Sequence, residues 1–242
     1  MSRILEVCVD TPAGLAAAVA GGADRIELCS ALDIDGLTPA PGLMAQAGEC
    51  GCEIFAMIRP RAGDFVFGDL DLDAMRRDID AARAAGLAGV VLGACRAGGR
   101  LDERALGDLM AHASGLGATL HRAFDVTPDK AEALEAAIGL GFQRILTSGG
   151  RPSAPEAAEV IADLVERAGD RIVIMAGAGL KPGNVFDFVR RTGVKEVHAS
   201  CRTALLAPRG GLDVELGFVA PGLKDTDQAV VTAMRRELDG LA

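Results

Sequence analysis

Four groups able to do chemistry close one short stretch of this chain. In Ala118-Thr-Leu-His-Arg-Ala-Phe-Asp125, Thr119, His121, Arg122 and Asp125 sit on or just after an apolar β run. Alternate side chains of a strand share a face, so Thr119 and His121 point one way and Leu120 and Arg122 the other. Similar endings recur elsewhere. Glu6 and Cys8 close the run Ile4 to Val9, Glu27 and Cys29 close Arg25 to Cys29, and Arg59 follows Glu53 to Ile58. A carboxylate out of water is a general base, a histidine near it a proton donor, and an arginine an anchor for an anion. Glu6 or Glu27 as base, His121 as acid and Arg59 as anchor suit aldol, isomerase or lyase chemistry on a small phosphorylated or carboxylated substrate.

Two glycine-rich turns extend the pattern. Ser148-Gly-Gly150 and Gly177-Ala-Gly179 each follow an apolar run and expose backbone amides, Asn184 lies near a predicted helix start, and Ser200 ends a further run. Ser148, Gly149, Gly177, Gly179 and Ser200 therefore read as a cradle for a phosphate or carboxylate. Tight turning alone is the competing use of such glycines.

The elements that must position these groups alternate regularly. Predicted strands cover 4–9, 25–29, 53–58, 89–92, 118–121, 144–147, 171–175 and 196–200; predicted helices cover 12–21, 42–49, 72–85, 102–114, 128–140, 153–168, 182–191 and 226–241. Residues 203–225 read as a loop. Eight strand and helix pairs in 242 residues without a linker are the arithmetic of a single-domain α/β protein, the (β/α)8 TIM barrel. A doubly wound open sheet is the rival, but no Gly-x-Gly-x-x-Gly follows the first strand. Period-2 alternation drafts the lumen: Glu6, Cys8 and Asp10; Arg25, Glu27 and Cys29; Phe55, Met57 and Arg59; Thr119 and His121; Thr147; Glu196, His198 and Ser200. The other face is nearly all aliphatic and should meet the helices. Buried Glu6 and Glu27 need cationic partners, for which Arg59, Arg122 or a histidine are candidates, and an internal ion-pair network is the alternative role for the whole set.

Composition limits the partners. Aromatic residues make up 3% of the chain, Trp and Tyr are missing, and the net charge is −9, which argues against nucleic-acid binding. No run of eighteen apolar residues appears and the first strand begins at once, so a cytoplasmic protein without a membrane span is expected. The six Cys read as free thiols, and Cys50-Gly-Cys52 as incidental.

Leu5-Glu-Val-Cys8, Gly22-Ala-Asp-Arg-Ile-Glu-Leu-Cys29, Gly36-Leu-Thr-Pro39, Met57-Ile-Arg-Pro-Arg61, His121-Arg-Ala-Phe-Asp125, Leu146-Thr-Ser-Gly149 and Met175-Ala-Gly-Ala-Gly179 together resemble the CutC family of copper homeostasis proteins, over residues 4 to about 202. The resemblance implies a TIM barrel, a cytoplasmic homo-oligomer (dimer or tetramer) and a role in copper handling, with Cu(I) held by Cys8 and Cys29, soft thiolates suited to that ion. The chain departs from the family pattern at Ala62, where a glycine is usual, and after Arg202.

Overall fold

The computed structural model describes residues 3–205, 211–219 and 222–241. Eight parallel strands close into a barrel in chain order: β1 (Ile4–Val9), β2 (Arg25–Leu28), β3 (Glu53–Met57), β4 (Gly89–Leu92), β5 (Gly117–Leu120), β6 (Arg144–Thr147), β7 (Val173–Ala176) and β8 (Glu196–Ala199), with β8 pairing back onto β1. Helices α1 (Pro12–Gly21), α2 (Pro41–Gly48), α3 (Asp69–Ala84), α4 (Glu103–His112), α5 (Lys130–Gly139), α6 (Ala158–Ala168) and α7 (Val185–Thr192) fall between them. The fold is a (β/α)8 TIM barrel.

Local chemistry sets the boundaries. Thr11 caps α1 by accepting from the Gly14 amide at 2.8 Å, Pro12 opens the helix, and Gly22 ends it at φ +90°, a left-handed conformation that glycine adopts without strain. The third helix starts at Asp69, three residues before its expected start at 72, and Asp71 in its first turn reaches back to the Gly68 amide at 3.2 Å. Asp129 caps α5 through the amides of Ala131 and Glu132, so the helix starts two residues later than its proline suggested.

The described parts of the region read as a loop carry secondary structure. Arg202–Ala204 (β9) and Lys224–Thr226 (β10) pair antiparallel, Leu212–Glu215 forms the short α8 between them, and Gln228–Asp239 (α9) packs on α1, α7 and β1. Thr11 Oγ1 donates to Asp225 at 2.9 Å and docks this hairpin on the start of α1. Short strands rich in polar residues carry little β signal, which is why the pair escaped notice. Among the described residues no helix is long and apolar enough to cross a membrane.

Alternation sorts the strand side chains as expected with one exception. Leu5, Val7, Ile26, Leu28, Ile54, Val90, Leu120, Ile145 and Val197 are buried against the helices, each stabilising the fold by roughly 1.5–3 kcal/mol. Thr147 belongs to that outward set with Ile145, and Leu146 takes the lumenal place assigned to it. At the amino-terminal end Phe55 plugs the barrel. It fits because β4 and β5 offer glycines there: a Cβ on Gly89 would lie 2.3 Å from its ring, and one on Gly117 2.7 Å.

Candidate functional site

The lumen has two levels with different electrostatics. In the lower one every charge is paired. Arg25 Nε donates to Glu6 at 2.5 Å, the same guanidinium bonds Glu196, and Arg144 reaches Glu196 at 3.2 Å. Arg25 and Arg144 stack on Phe55 with guanidinium carbons 5.6 and 4.8 Å from the ring centre. Glu6 is fully buried. Burial alone would raise its pKa, but hydrogen bonds and charges from His198 and Arg25 together pull it down to about 2. Its partners are thus Arg25 and a histidine, and neither Arg59 nor Arg122 takes that place. Glu6 does not line the cavity above it.

The upper level opens at the carboxyl ends of the strands as a cavity of about 680 Å³. Glu27 on β2, Arg59 just after β3 and His121 just after β5 converge on it with Cys8, Met57, His198, Gly179 and Ser200. Buried polar atoms without a partner gather here: Glu27 Oε1, Arg59 Nε and His121 Nε2. His121 Nδ1 accepts from the Ala123 amide at 3.0 Å, which assigns the ring proton to Nε2 and leaves that N–H as a free donor. Burial, followed by the Arg59 charge, pushes the imidazole down to about 3, so it is neutral at ordinary pH. Phe65 packs on it with ring centres 4.9 Å apart. Glu27 is shifted the other way: burial, outweighing the attraction of His198, raises its carboxyl.

Arg59 is less free than an anchor at the rim. Its Nη1 donates to the carbonyls of Ile34 and Gly36 at 2.9 and 3.0 Å and its Nη2 to that of Gly63 at 3.0 Å, tying together the loops after β2 and β3. No carboxylate lies within ion-pair distance of it among the described residues, and the Asp35 charge on the same cavity attracts it only from further off. Lys181 and Lys224, which the residue types alone did not single out, line the mouth and likewise make no ion pair among the described residues.

Most of the expected anion cradle is already occupied from within. Asp125 fills the turn after β6, accepting from the amides of Ser148 at 3.0 Å and Gly150 at 3.0 Å and from the hydroxyls of Thr147 and Ser148, while Arg122 pairs with it at 2.9 Å. The Gly149 amide donates to Thr147 and that of Gly177 to the Thr147 carbonyl. Ser148, Gly149 and Gly177 therefore lie outside the cavity, and only Gly179 and Ser200 of that set border it. An Asp 23 positions upstream of Ser148 supplies the anion, a pairing that strand order alone does not disclose.

The two cysteines take different surroundings. Cys29 packs with Phe55, Met57 and Val91, and burial followed by the Glu27 charge raises its thiol well above the usual range. Cys8 lines the cavity, and one donor atom each from Cys8, Glu27 and His198 lie within 4.8 Å of one another. His198 is the residue that sequence reasoning placed in the lumen without a role. Its Nδ1 lies 2.8 Å from Glu6 Oε1, and Nε2 lies 3.8 Å from Glu27. Burial would lower its pKa, yet the charges of Cys8 and Glu27 and hydrogen bonds to Cys8 and Glu6 hold it well above the ordinary value. An imidazolium has no lone pair, so the trio accepts a metal ion only by giving up that proton.

Comparison with known proteins agrees with this architecture. The family model described as the CutC family matches residues 3–203. CutC family proteins from Caulobacter vibrioides, 59% identical with 98% of both chains covered, and from Sinorhizobium medicae, 60% identical with 100% and 99% covered, run alongside the chain almost end to end. A solved structure from Streptococcus agalactiae, described as that of a candidate copper homeostasis protein CutC, superposes with a TM-score of 0.79 at 34% identity, over 82% of this chain and 98% of that one. With its motifs, its barrel and relatives matched along nearly their whole length, the chain belongs to the CutC family.

Proposed function

We infer that the cavity binds a small carboxylate or phosphate ester and transfers a proton on it, as a lyase, aldolase or isomerase would. The observation that carries this reading is the meeting of three unpartnered buried atoms, Glu27 Oε1, Arg59 Nε and His121 Nε2, on one cavity. Each such atom costs about 1–3 kcal/mol, a cost that bound ligand atoms would remove. Glu27, with its raised pKa, is the base of this scheme. His121 serves as a neutral N–H donor to the oxygen on which charge builds up, since a ring held at about 3 is a poor reservoir of protons. Arg59, Lys181 and Lys224 supply the field that draws in an anion. A calorimetric screen of small sugar phosphates and oxo-carboxylates tests it. Binding that survives Glu27→Gln while turnover is lost supports the assignment, and a screen in which no anion binds at millimolar concentration overturns it.

A copper role is the second reading, favoured by the family and by the donor atoms of Cys8, Glu27 and His198 within 4.8 Å. In it the chain is a cytoplasmic homo-oligomer, a dimer or tetramer, that takes Cu(I) as cargo at Cys8 with Cys29 nearby. Under reducing conditions Cys8→Ser/Cys29→Ser should then lose most Cu(I) affinity while Cys50→Ser/Cys52→Ser keeps it, and equal affinity in both excludes the site.

A further inference from the structure

The proton-transfer reading leaves one reactive group unused. Among the described residues Cys8 is the one cysteine that lines the cavity, and its Sγ stands within 4.8 Å of donor atoms of His198 and Glu27. The imidazole is fixed from behind by Glu6, 2.8 Å from Nδ1, and Glu6 is held in turn by Arg25. Thiol and carboxylate lie two residues apart on β1 and so share the lumenal face, and the closure of β8 onto β1 sets His198 opposite Glu6. A thiol, an imidazole within reach and a carboxylate on the far ring nitrogen are the parts of an activated nucleophile. The unpartnered Glu27 Oε1 beside them is a separate sign that a polar ligand reaches this floor.

We propose that Cys8, His198 and Glu6 form a nucleophilic triad at the floor of the barrel, built to add to the carbonyl carbon of a small anionic aldehyde or ketone. The charge of that substrate rests on the anion-binding reading above; the triad itself does not. In the step, the Cys8 proton passes to His198 Nε2 while Nδ1–H donates to Glu6. The Cys8 sulfur forms a bond to the carbonyl carbon, the π pair of the C=O moves onto oxygen, and that oxygen takes the proton from Nε2. The product is a thiohemiacetal or thiohemiketal; no group leaves and no electron acceptor is required. Cys8 and His198 act on the reacting atoms, and Glu6 is a positioning residue.

The test is alkylation of the full-length, reduced, chelator-treated protein with limiting iodoacetamide, read cysteine by cysteine by peptide mass spectrometry. Cys8, only 6% exposed, should react about tenfold faster than the more exposed Cys50 and Cys52. His198→Gln and Glu6→Gln should each bring Cys8 down to the Cys50 rate or below while Cys50 itself is unchanged, an internal ratio that a general loosening of the fold would move the other way. A wild-type Cys8 no faster than Cys50 overturns the triad whether or not either variant folds, as does a fast Cys8 that ignores a folded His198→Gln. Repeating the wild-type measurement with iodoacetate separates the two readings. Preference for the anionic reagent at Cys8 over Cys50 supports the anionic substrate class, and a fast Cys8 without that preference keeps the triad and removes the anion.

Discussion

Replacing His121 with glutamine should flatten the acid limb of the stability curve. In the folded chain burial, followed by the Arg59 charge, holds this imidazole at about 3, against about 6.5 in an unfolded chain. Between those values the unfolded state binds a proton that the folded state refuses. Stability from this group is therefore complete above the unfolded pKa and lost as the pH falls toward the folded one. Each unit is worth about 1.4 kcal/mol, so moving from about pH 7 to about pH 4.5 should cost the wild type about 2.5 kcal/mol that His121→Gln does not lose. Urea unfolding of both chains at the two pH values gives this as a difference of differences. Glu6, whose folded pKa is about 2, contributes mainly below that window and cancels between the chains. Parallel pH slopes would refute the reasoning, because they would mean a solvated ring that protonates freely and cannot act as a neutral donor.

Arg25→Met should cost about 3–5 kcal/mol in urea unfolding, since it takes the bridging cation from two buried carboxylates and leaves Glu6 with His198 alone and Glu196 with Arg144 alone. Gly89→Ala should cost about 1–3 kcal/mol by driving a methyl group into Phe55, and Phe55→Leu in the same chain should recover part of that loss. Asp125→Ala should cost about 1–3 kcal/mol by stranding the Ser148 and Gly150 amides and the Thr147 hydroxyl, and formate should stabilise this variant by more than it stabilises the wild type.

Strand parity was legible because the chain spends aliphatic residues on one face and charges on the other. Leu5 and Val7 against Glu6 and Cys8 assign β1 without any knowledge of its neighbours. Thr147 misled the count because its hydroxyl serves Asp125 and the Gly149 amide on the outward side, whereas Leu146, an ordinary core residue, faces the cavity. Distances in sequence hid the rest. His198 meets Glu6 across 192 positions only because the barrel closes, and the Asp125 carboxylate meets the Ser148 amide across 23 only because β5 and β6 are neighbours. Parity names the face of a side chain but not its depth, so Glu6 and Glu27, two apparent bases, could not be told apart until the level of each was known.

That difference in depth is also what makes a purely structural account of the lumen insufficient. The lower level shows how this chain holds buried charge in complementary pairs: Glu6, Arg25, Arg144 and Glu196 are linked around an aromatic plug. Nearer the carboxyl ends of the strands that solution is abandoned. Among the described residues Glu27 keeps one oxygen without a partner, His121 one N–H, and Arg59 has no carboxylate within ion-pair distance. Leu at either of the first two positions would roughly keep the volume and remove the unmet polar atom, at a gain of about 1–3 kcal/mol each. The sequence instead places titratable groups where the strands end and the barrel opens, the place at which barrel proteins meet their ligands. Structural need explains the ion pairs below; the unmet groups above call for a ligand that enters through the mouth.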